Sequence, residues 1–168
     1  MNETEVLFKE VQHFRQPLLW LLFGVVLVII VGITGFLAVK LIFLSKPPHT
    51  GIGIALLIPS VVAICIGLLL FSAKLEVEVR KDGLYLRFFP FHMSFQTISL
   101  ENLEKHEAIT FAPLKDYGGW GIRYGKKGKA YIVSGNTGVL LSFKDGKTLC
   151  IGSQKAEELN GALSKIKK

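Results

Sequence analysis

Charged residues are missing from two long stretches of this 168-residue chain, and cysteines are few. No charged residue occurs in residues 17–39 or in residues 51–73. Each stretch exceeds the roughly 20 apolar residues that a helix needs to cross about 30 Å of hydrocarbon. The two cysteines, Cys65 and Cys150, form no CxxC or Cys/His spacing, which excludes the common zinc and redox motifs.

The first apolar stretch differs from a cleaved secretory signal. A signal peptide has an apolar core of only about 7–15 residues and ends in a small-residue cleavage site. Here the run is longer, no A-x-A pattern closes it, and the acidic residues Glu3, Glu5 and Glu10 precede it. We therefore predict two retained transmembrane helices, at about 18–40 and 52–72.

Residues 1–16 are polar but carry apolar side chains at helix-like intervals. Val6, Leu7, Val11 and Phe14 would share one face of a short helix. Such a helix lies in the membrane interface with its apolar face toward the acyl chains. The pattern predicts an amphipathic N-terminal segment.

Basic residues are distributed unevenly around the two apolar stretches. The side of the connecting loop holds Lys40 and Lys46, whereas the opposite side holds six basic residues: Lys9, Arg15, Lys74, Arg80, Lys81 and Arg87. Basic residues accumulate on the cytoplasmic side of membrane helices. The distribution predicts a multi-pass protein of the cell membrane with both termini in the cytoplasm.

Small residues give both apolar stretches a slim face. Ala63 and Gly67 form a small-xxx-small pair in the second stretch, and Gly32 and Gly35 lie in the first. Small residues let two membrane helices approach closely. We expect these four residues to contribute to helix–helix packing.

After residue 73 the hydrophobic period changes to two. Apolar residues alternate in "LEVEVR" (75–80) and "LYLRFF" (84–89), on either side of an Asp-Gly turn, which is a strong β-hairpin signal. Further strands are predicted at 94–99, 107–112, 120–124, 129–134, 138–143 and 147–152. A helix follows Ser153, with an apolar stripe and basic residues at its end.

These elements divide the chain into an N-terminal segment (1–16), two membrane helices (17–73) and a soluble domain (74–168). Several antiparallel strands followed by one amphipathic helix form a small α+β domain in which the helix covers the sheets. The predicted fold is a membrane α-helical hairpin plus an antiparallel β-sandwich or barrel of about seven strands, capped by a C-terminal helix.

A resemblance to a known family is carried by four segments: "FKEVQHFRQ" (8–16), "YGGWGIRY" (117–124), "KAYIVSGNTGVLL" (129–141) and "IGSQKAEEL" (151–159). In these segments the chain resembles uncharacterised prokaryotic membrane proteins with two membrane helices followed by a bacterial pleckstrin-homology-like domain. The resemblance covers nearly the whole chain. It implies a fold and a location rather than an activity.

The first hairpin departs from the lipid-binding eukaryotic relatives of that domain. Those relatives place a cluster of basic residues across the hairpin. Here Lys81 and Arg87 are present, but Tyr85 stands where the second basic residue is expected. The resemblance therefore does not support phosphoinositide binding.

Glycines are concentrated in "DYGGWGIRYGKKGKAYIVSG" (116–135). The dinucleotide fingerprint fails because Tyr124 occupies the third glycine position, and a P-loop fails because Leu141 occupies its first. The glycines instead indicate turns. Trp120, Ile122 and Tyr124 are expected to alternate onto a core-facing side.

The basic residues of the same stretch suggest a surface contact. Arg123, Lys126, Lys127 and Lys129 cluster at the predicted hairpin tip, where anionic lipid headgroups or an acidic partner would be attracted. A solvated turn is the alternative. The net charge of +7 is spread along the chain, so a nucleic-acid interface is not indicated.

The segment "LRFFPFHMSF" (86–95) is rich in aromatic residues. Phe88, Phe89, Phe91 and Phe95 would either build the core or contact the bilayer near the point where the chain leaves it. Alternation assigns at least half of them to the interior.

No catalytic or cofactor constellation is recognisable. His92 and His106 are isolated, and Asp82 and Asp145 occupy Asp-Gly turns. We predict a non-enzymatic module without a metal or cofactor that binds a protein partner, lipid headgroups or a second copy of itself at the bilayer. The alternative is an accessory subunit of a membrane transporter or membrane enzyme complex.

Overall fold

The structure is a computed structural model that describes residues 5–44, 55–125 and 127–166. The chain divides into two compact units. One unit, the β-domain, contains the N-terminal segment up to Phe14 together with the chain from Ser72 onward. The other unit, Arg15–Phe71, is helical.

The β-domain contains two sheets. The first sheet has the spatial order β1 (Val6–His13), β2 (Lys74–Arg80), β3 (Gly83–Phe89) and β4 (Gln96–Ile98), and its neighbouring strands are antiparallel. The second sheet is built from β5 (Leu103–Thr110), β6 (Gly121–Gly125), β7 (Gly128–Ile132), β8 (Thr137–Phe143) and β9 (Thr148–Gly152). Its spatial order is β5-β8-β9-β7-β6.

Four helices accompany the strands in the described ranges: α1 (Pro17–Leu44), α2 (Ile58–Ser72), α3 (Pro113–Tyr117) and α4 (Ala156–Ile166). The C-terminal helix α4 buries Leu159, Ala162 and Leu163 in the main core of the β-domain. These residues recur at intervals of three and four, so they share one face of the helix. The predicted α+β architecture with a C-terminal helix is confirmed.

The predicted all-antiparallel arrangement is wrong at one position. Strand β9 lies between β7 and β8, and it is antiparallel to β8 but parallel to β7. The strand count also rises to nine among the described residues, because β1 joins the first sheet. Both differences arise from pairing between strands that are not joined by a tight turn, which local patterns do not encode.

The predicted helix-like face of the N-terminal segment is wrong. Residues 6–13 form strand β1, in which Phe8, Glu10 and Gln12 are buried while Val11 is exposed. Side chains of a strand alternate between faces, and here two of the inward positions are polar. A hydrophobicity pattern therefore does not reveal the alternation of inward and outward side chains in β1.

Two buried polar side chains of β1 bond to the segment that leads into α4. The Gln12 side-chain amide donates to the Gly152 carbonyl at 2.8 Å. The Glu10 carboxylate accepts the Ser153 hydroxyl at 2.5 Å and the Gln154 backbone N–H at 3.0 Å. Because buried donors need partners, these bonds tie β1 to the C-terminal part of the domain.

The predicted hairpin of two membrane helices is not supported by the described residues, which contain a single candidate span. Among the described residues, α1 is the one helix long and apolar enough to cross a membrane, with a mean hydropathy of 2.9 over an 18-residue window within Pro17–Phe43. A signal sequence or the core helix of a soluble protein meets the same criteria. The second helix, α2, spans 15 residues, and its predicted start at residue 52 lies outside the described residues.

Candidate functional site

Two glycines fix the tip of the β6–β7 hairpin. Gly128 has φ +88°, and a Cβ there would lie 2.1 Å from the Thr148 hydroxyl oxygen. A Cβ on Gly125 would lie 2.5 Å from the Asp116 carbonyl oxygen. The Thr148 hydroxyl also donates to the Lys127 carbonyl at 2.6 Å. The tip therefore needs glycine for close backbone approach and, at Gly128, for a left-handed conformation.

A basic groove of about 750 Å³ lies beside this tip. It is lined by Tyr124, Gly125, Lys127, Gly128, Lys129, Leu140, Gly146, Lys147 and Thr148. The Lys127 ammonium lies 3.1 Å from the Asp116 carboxylate, and the Lys147 ammonium lies 2.7 Å from Asp145. Lys129 has no carboxylate within ion-pair distance in the described part of the chain, so its charge remains available to an anion.

Aromatic rings hold the Lys129 ammonium in place. It lies 4.8 Å from the centroid of the Tyr131 ring and 5.6 Å from that of Tyr124. Burial acts to lower the pKa of Lys129, but interactions with Tyr131 and Tyr124 outweigh it, so the pKa is raised above its ordinary value. The groove therefore presents a fixed, fully protonated ammonium near neutral pH.

The predicted basic cluster is only partly brought together. Lys127 and Lys129 line the groove, and Lys126 lies outside the described residues. Arg123 does not line it; its Nε donates to the Trp120 carbonyl at 2.6 Å. Arg123 is therefore not one of the groove residues.

Two groove residues were missed or misplaced by the sequence interpretation. Tyr124 was expected in the core, but it is 77% exposed, whereas Trp120 and Ile122 do pack against the core. Lys147 belongs to the turn before β9 and was not included in the predicted cluster. It reaches the groove because β9 pairs with β7.

The basic residues of the first hairpin are engaged in ion pairs. Glu78 binds Lys9 at 2.9 Å and Arg80 at 2.6 Å. Glu76 binds Lys74 and Arg87, both at 2.6 Å. The remaining basic residue of the hairpin, Lys81, pairs with Glu5. All four basic residues of the hairpin are therefore paired with glutamates.

These ion pairs predict a loss of stability in acid. Burial acts to raise the pKa of Glu76 and Glu78, but the paired cations outweigh it and lower both pKa values below 4.5. Stability is therefore complete above the unfolded-state pKa and is lost as pH falls through the folded-state pKa. We expect the urea midpoint of the full chain in detergent to fall between about pH 5 and pH 3.

A double variant, Glu76→Gln with Glu78→Gln, is the test of that assignment. It should be less stable at neutral pH and show a flatter acid limb, whereas Glu101→Gln, in an exposed turn, should keep the native pH dependence. An unchanged acid limb in the double variant would contradict the prediction.

Groups with catalytic potential are not assembled into a site. The described residues contain no group of three or more His, Cys, Asp and Glu side chains placed to hold a metal ion. Burial raises the pKa of the Cys150 thiol to about 11, which makes it a poor nucleophile. His106 Nδ1 lies 2.6 Å from the Asn160 side-chain oxygen and joins β5 to α4.

A second groove, of about 400 Å³, lies between the edge strand β5 and the start of α4. Its lining includes Ala108, Ile109, Thr110, Gln154 and Ala156. An edge strand beside a helix is a geometry to which extended peptides bind in other proteins. Its lining has no comparable concentration of one charge.

Of the four predicted helix-packing residues, the structure buries the two in α2 but not the two in α1. Ala63 and Gly67 are buried, and the Phe23 ring of α1 packs so closely that a Cβ on Gly67 would lie 2.8 Å from it. A Cβ on Gly32 or Gly35 would meet nothing within 4 Å.

On α1 the contact runs instead through Thr34 and Ala38. Both are buried, and the Thr34 hydroxyl lies 2.9 Å from the Ser60 hydroxyl of α2. Two hydroxyl residues in otherwise apolar helices were the available sequence signal for this contact.

Comparisons with known proteins identify a family and no characterised relative. No curated protein matches the chain, and no solved structure matches it. One family model, described as "Family of unknown function (DUF6141)", matches residues 1–167. The chain therefore belongs to the DUF6141 family.

Proposed function

We propose that the chain is an integral membrane protein whose two apolar helices cross the bilayer as a hairpin and present a pleckstrin-homology-like domain at the cytoplasmic surface. The observation that carries this proposal is the pairing of His13 with Lys74. The two residues border the helical unit Arg15–Phe71, which we call the apolar insertion. The chain therefore leaves the β-domain and returns to it at one place. A chain segment whose two ends lie on the same side of a bilayer crosses that bilayer an even number of times.

The same pairing argues against a cleaved signal sequence. Cleavage after α1 would remove β1 and the residue that follows it, and with them Phe8 and Phe14 from the core of the β-domain. It would also remove the Glu10 and Gln12 side chains that bond to the segment before α4. Because β1 precedes α1 and belongs to the folded domain, this arrangement favours retention of α1 in the mature chain.

The lengths of the helices are compatible with two spans. At 1.5 Å per residue, α1 is about 42 Å long and the described part of α2 about 22 Å long, against about 30 Å of hydrocarbon. No charged residue occurs between Gly51 and α2, so the chain has enough apolar residues for a second span. The exposed side chains of both helices are predominantly large and apolar, as a lipid-facing surface requires.

The basic residues favour the cytoplasmic side for the β-domain. Six basic residues flank the helices on the side of that domain, and two lie on the side of the connecting loop. The excess marks the cytoplasmic side of membrane helices. Both termini belong to the β-domain and would share that side.

We infer that the domain is a binding module for anionic groups rather than an enzyme. The support is the basic groove, which is lined by three lysines, of which Lys127 and Lys147 are paired with carboxylates and Lys129 has no carboxylate partner among the described residues. Phosphate and carboxylate groups are the ligands that such a groove attracts. They come either from lipid headgroups or from an acidic protein segment, and the two sources can be separated by experiment.

The test titrates the full chain in neutral detergent with three probes: dihexanoyl phosphatidylserine, dihexanoyl phosphatidylcholine and a short polyglutamate peptide. We expect Lys129→Glu to weaken binding of the anionic probe by about tenfold, because one attractive charge becomes repulsive. The matched control is Lys165→Glu, which makes the same charge change at an exposed position outside the groove.

The outcomes separate the possibilities. Selective binding of phosphatidylserine would assign lipid as the ligand, and selective binding of polyglutamate would assign a protein partner. Equal weakening by both substitutions, or no preference for an anionic probe, would contradict the groove as a binding site.

A further inference from the structure

The loop between β3 and β4 exposes large apolar side chains. Phe91 is 73% exposed and Met93 is 75% exposed, whereas Phe88, just before the loop, is buried in the core. No acidic residue occurs between Leu86 and Phe95. Exposed apolar side chains that lie together on a folded domain mark contact sites for proteins or membranes.

The loop lies at the end of the first sheet where the apolar insertion is attached. His13 pairs with Lys74, and Lys74 pairs with Phe89. The end of β1, the start of β2 and the end of β3 are therefore side by side. Because the loop begins directly after Phe89, both connections to the apolar insertion leave the β-domain beside it.

Ring contacts connect this loop with the chain exit and with the basic groove. The Phe88 ring lies 6.2 Å from Phe14, 5.9 Å from Phe91 and 6.4 Å from Tyr131. The Lys129 ammonium lies 4.8 Å from the Tyr131 ring centroid. Exposed apolar side chains, the attachment of the insertion and an available ammonium thus occupy one region of the β-domain.

We propose that Phe91 and Met93 insert into the interfacial layer of the bilayer and that the Lys129 ammonium meets the phosphates of anionic lipids beside them. The proposal rests on the proposed membrane anchorage, because the covalent connections keep this end of the β-domain close to the bilayer. Aromatic and long apolar side chains partition to the interface, and neighbouring lysines bind anionic headgroups. The contact selects which face of the β-domain meets the membrane.

The depth of the loop can be measured on the full chain in nanodiscs with an NBD fluorophore on a single cysteine. The background carries Cys65→Ala, and Cys150 is buried and therefore protected from labelling. The probe is placed at Met93→Cys. The matched control is Glu101→Cys, in the exposed β4–β5 turn at the other end of β3.

We expect the Met93 probe to be quenched by lipids that carry a nitroxide on the upper acyl chain. It should also be about tenfold less accessible to aqueous iodide than the Glu101 probe. Adding Lys129→Glu should reduce the quenching in anionic nanodiscs and leave it unchanged in zwitterionic ones.

Three results would overturn the contact. Equal iodide access at both positions, in protein that resists alkaline extraction, would remove the contact but leave the anchorage intact. Protein that is extracted by alkali would remove the anchorage itself. Shielding of Met93 that requires a cell extract would assign the loop to a protein partner instead of lipid.

Discussion

Replacing Arg15–Phe71 by a Gly-Asn-Gly linker is expected to give a soluble β-domain that unfolds cooperatively, whereas residues 72–168 alone should not fold. The linker closes a short connection between the paired His13 and Lys74, and Gly and Asn supply the left-handed conformations that tight connections need. We call this variant the joined chain. It retains both parts of the sequence that form the β-domain.

The shorter fragment fails for a reason that lies in β1. Without β1, the backbone of β2 becomes a sheet edge beside a buried core, a position that promotes aggregation. The core loses Phe8 and Phe14, and each large core side chain contributes about 3–5 kcal/mol when it is deleted. That loss is comparable to the roughly 5–15 kcal/mol by which a whole domain is stable.

The measurement compares solubility, size-exclusion behaviour and urea unfolding of the two chains. The full-length protein serves as the reference. A joined chain that stays in the membrane pellet after alkaline extraction would contradict the assignment of anchorage to the insertion. A 72–168 fragment that unfolds at the same urea concentration as the joined chain would contradict the structural role of β1.

Much of the β-domain could be predicted from local sequence patterns. The hairpin of β2 and β3 was predicted because alternation and the Asp-Gly turn specify both strands and their register within one short segment. The helix α4 was predicted for a similar reason, since its apolar stripe and the hydroxyl residue before it are local signals. Structural elements that are specified by their own short segment can be predicted from the sequence without knowledge of the tertiary fold.

Strand β1 was not predicted, because its partner is far away in sequence. Its pairing with β2 bridges the apolar insertion, so no tight turn in the sequence indicates that the two strands pair. Two of its inward positions, Glu10 and Gln12, are polar, and both side chains bond to the segment before α4. A hydrophobicity pattern cannot detect an inward residue whose burial depends on a partner elsewhere in the chain.

The basic groove shows the same limit. Lys127 and Lys129 were predicted from their spacing in one turn, but Lys147 joins them only through the parallel pairing of β7 with β9. Arg123 was included because it is close in sequence, although its side chain bonds to the Trp120 carbonyl and does not line the groove. Sequence proximity located the groove but could not determine which side chains line it.

The Glu10 carboxylate is expected to be among the most important single side chains for the stability of the β-domain. It accepts hydrogen bonds from the Ser153 hydroxyl and the Gln154 backbone N–H, and Ser153 in turn accepts the Lys155 backbone N–H at 3.0 Å. In Glu10→Ala the buried Ser153 hydroxyl and the Gln154 backbone N–H lose their acceptor. We expect a loss of about 2–4 kcal/mol in the free energy of unfolding of the joined chain.

Two further variants separate the possible causes. Glu10→Gln keeps an acceptor oxygen but removes the negative charge near the start of α4, where the helix dipole favours an anion, so it should fall between the native chain and Glu10→Ala. Glu5→Ala removes an exposed carboxylate that pairs with Lys81 on the same strand pair, and it should change the urea midpoint little. If Glu10→Ala were as mild as Glu5→Ala, the bond network between β1 and α4 would not stabilise the domain, and the packing of Phe8 and Phe14 alone would have to account for the requirement for β1.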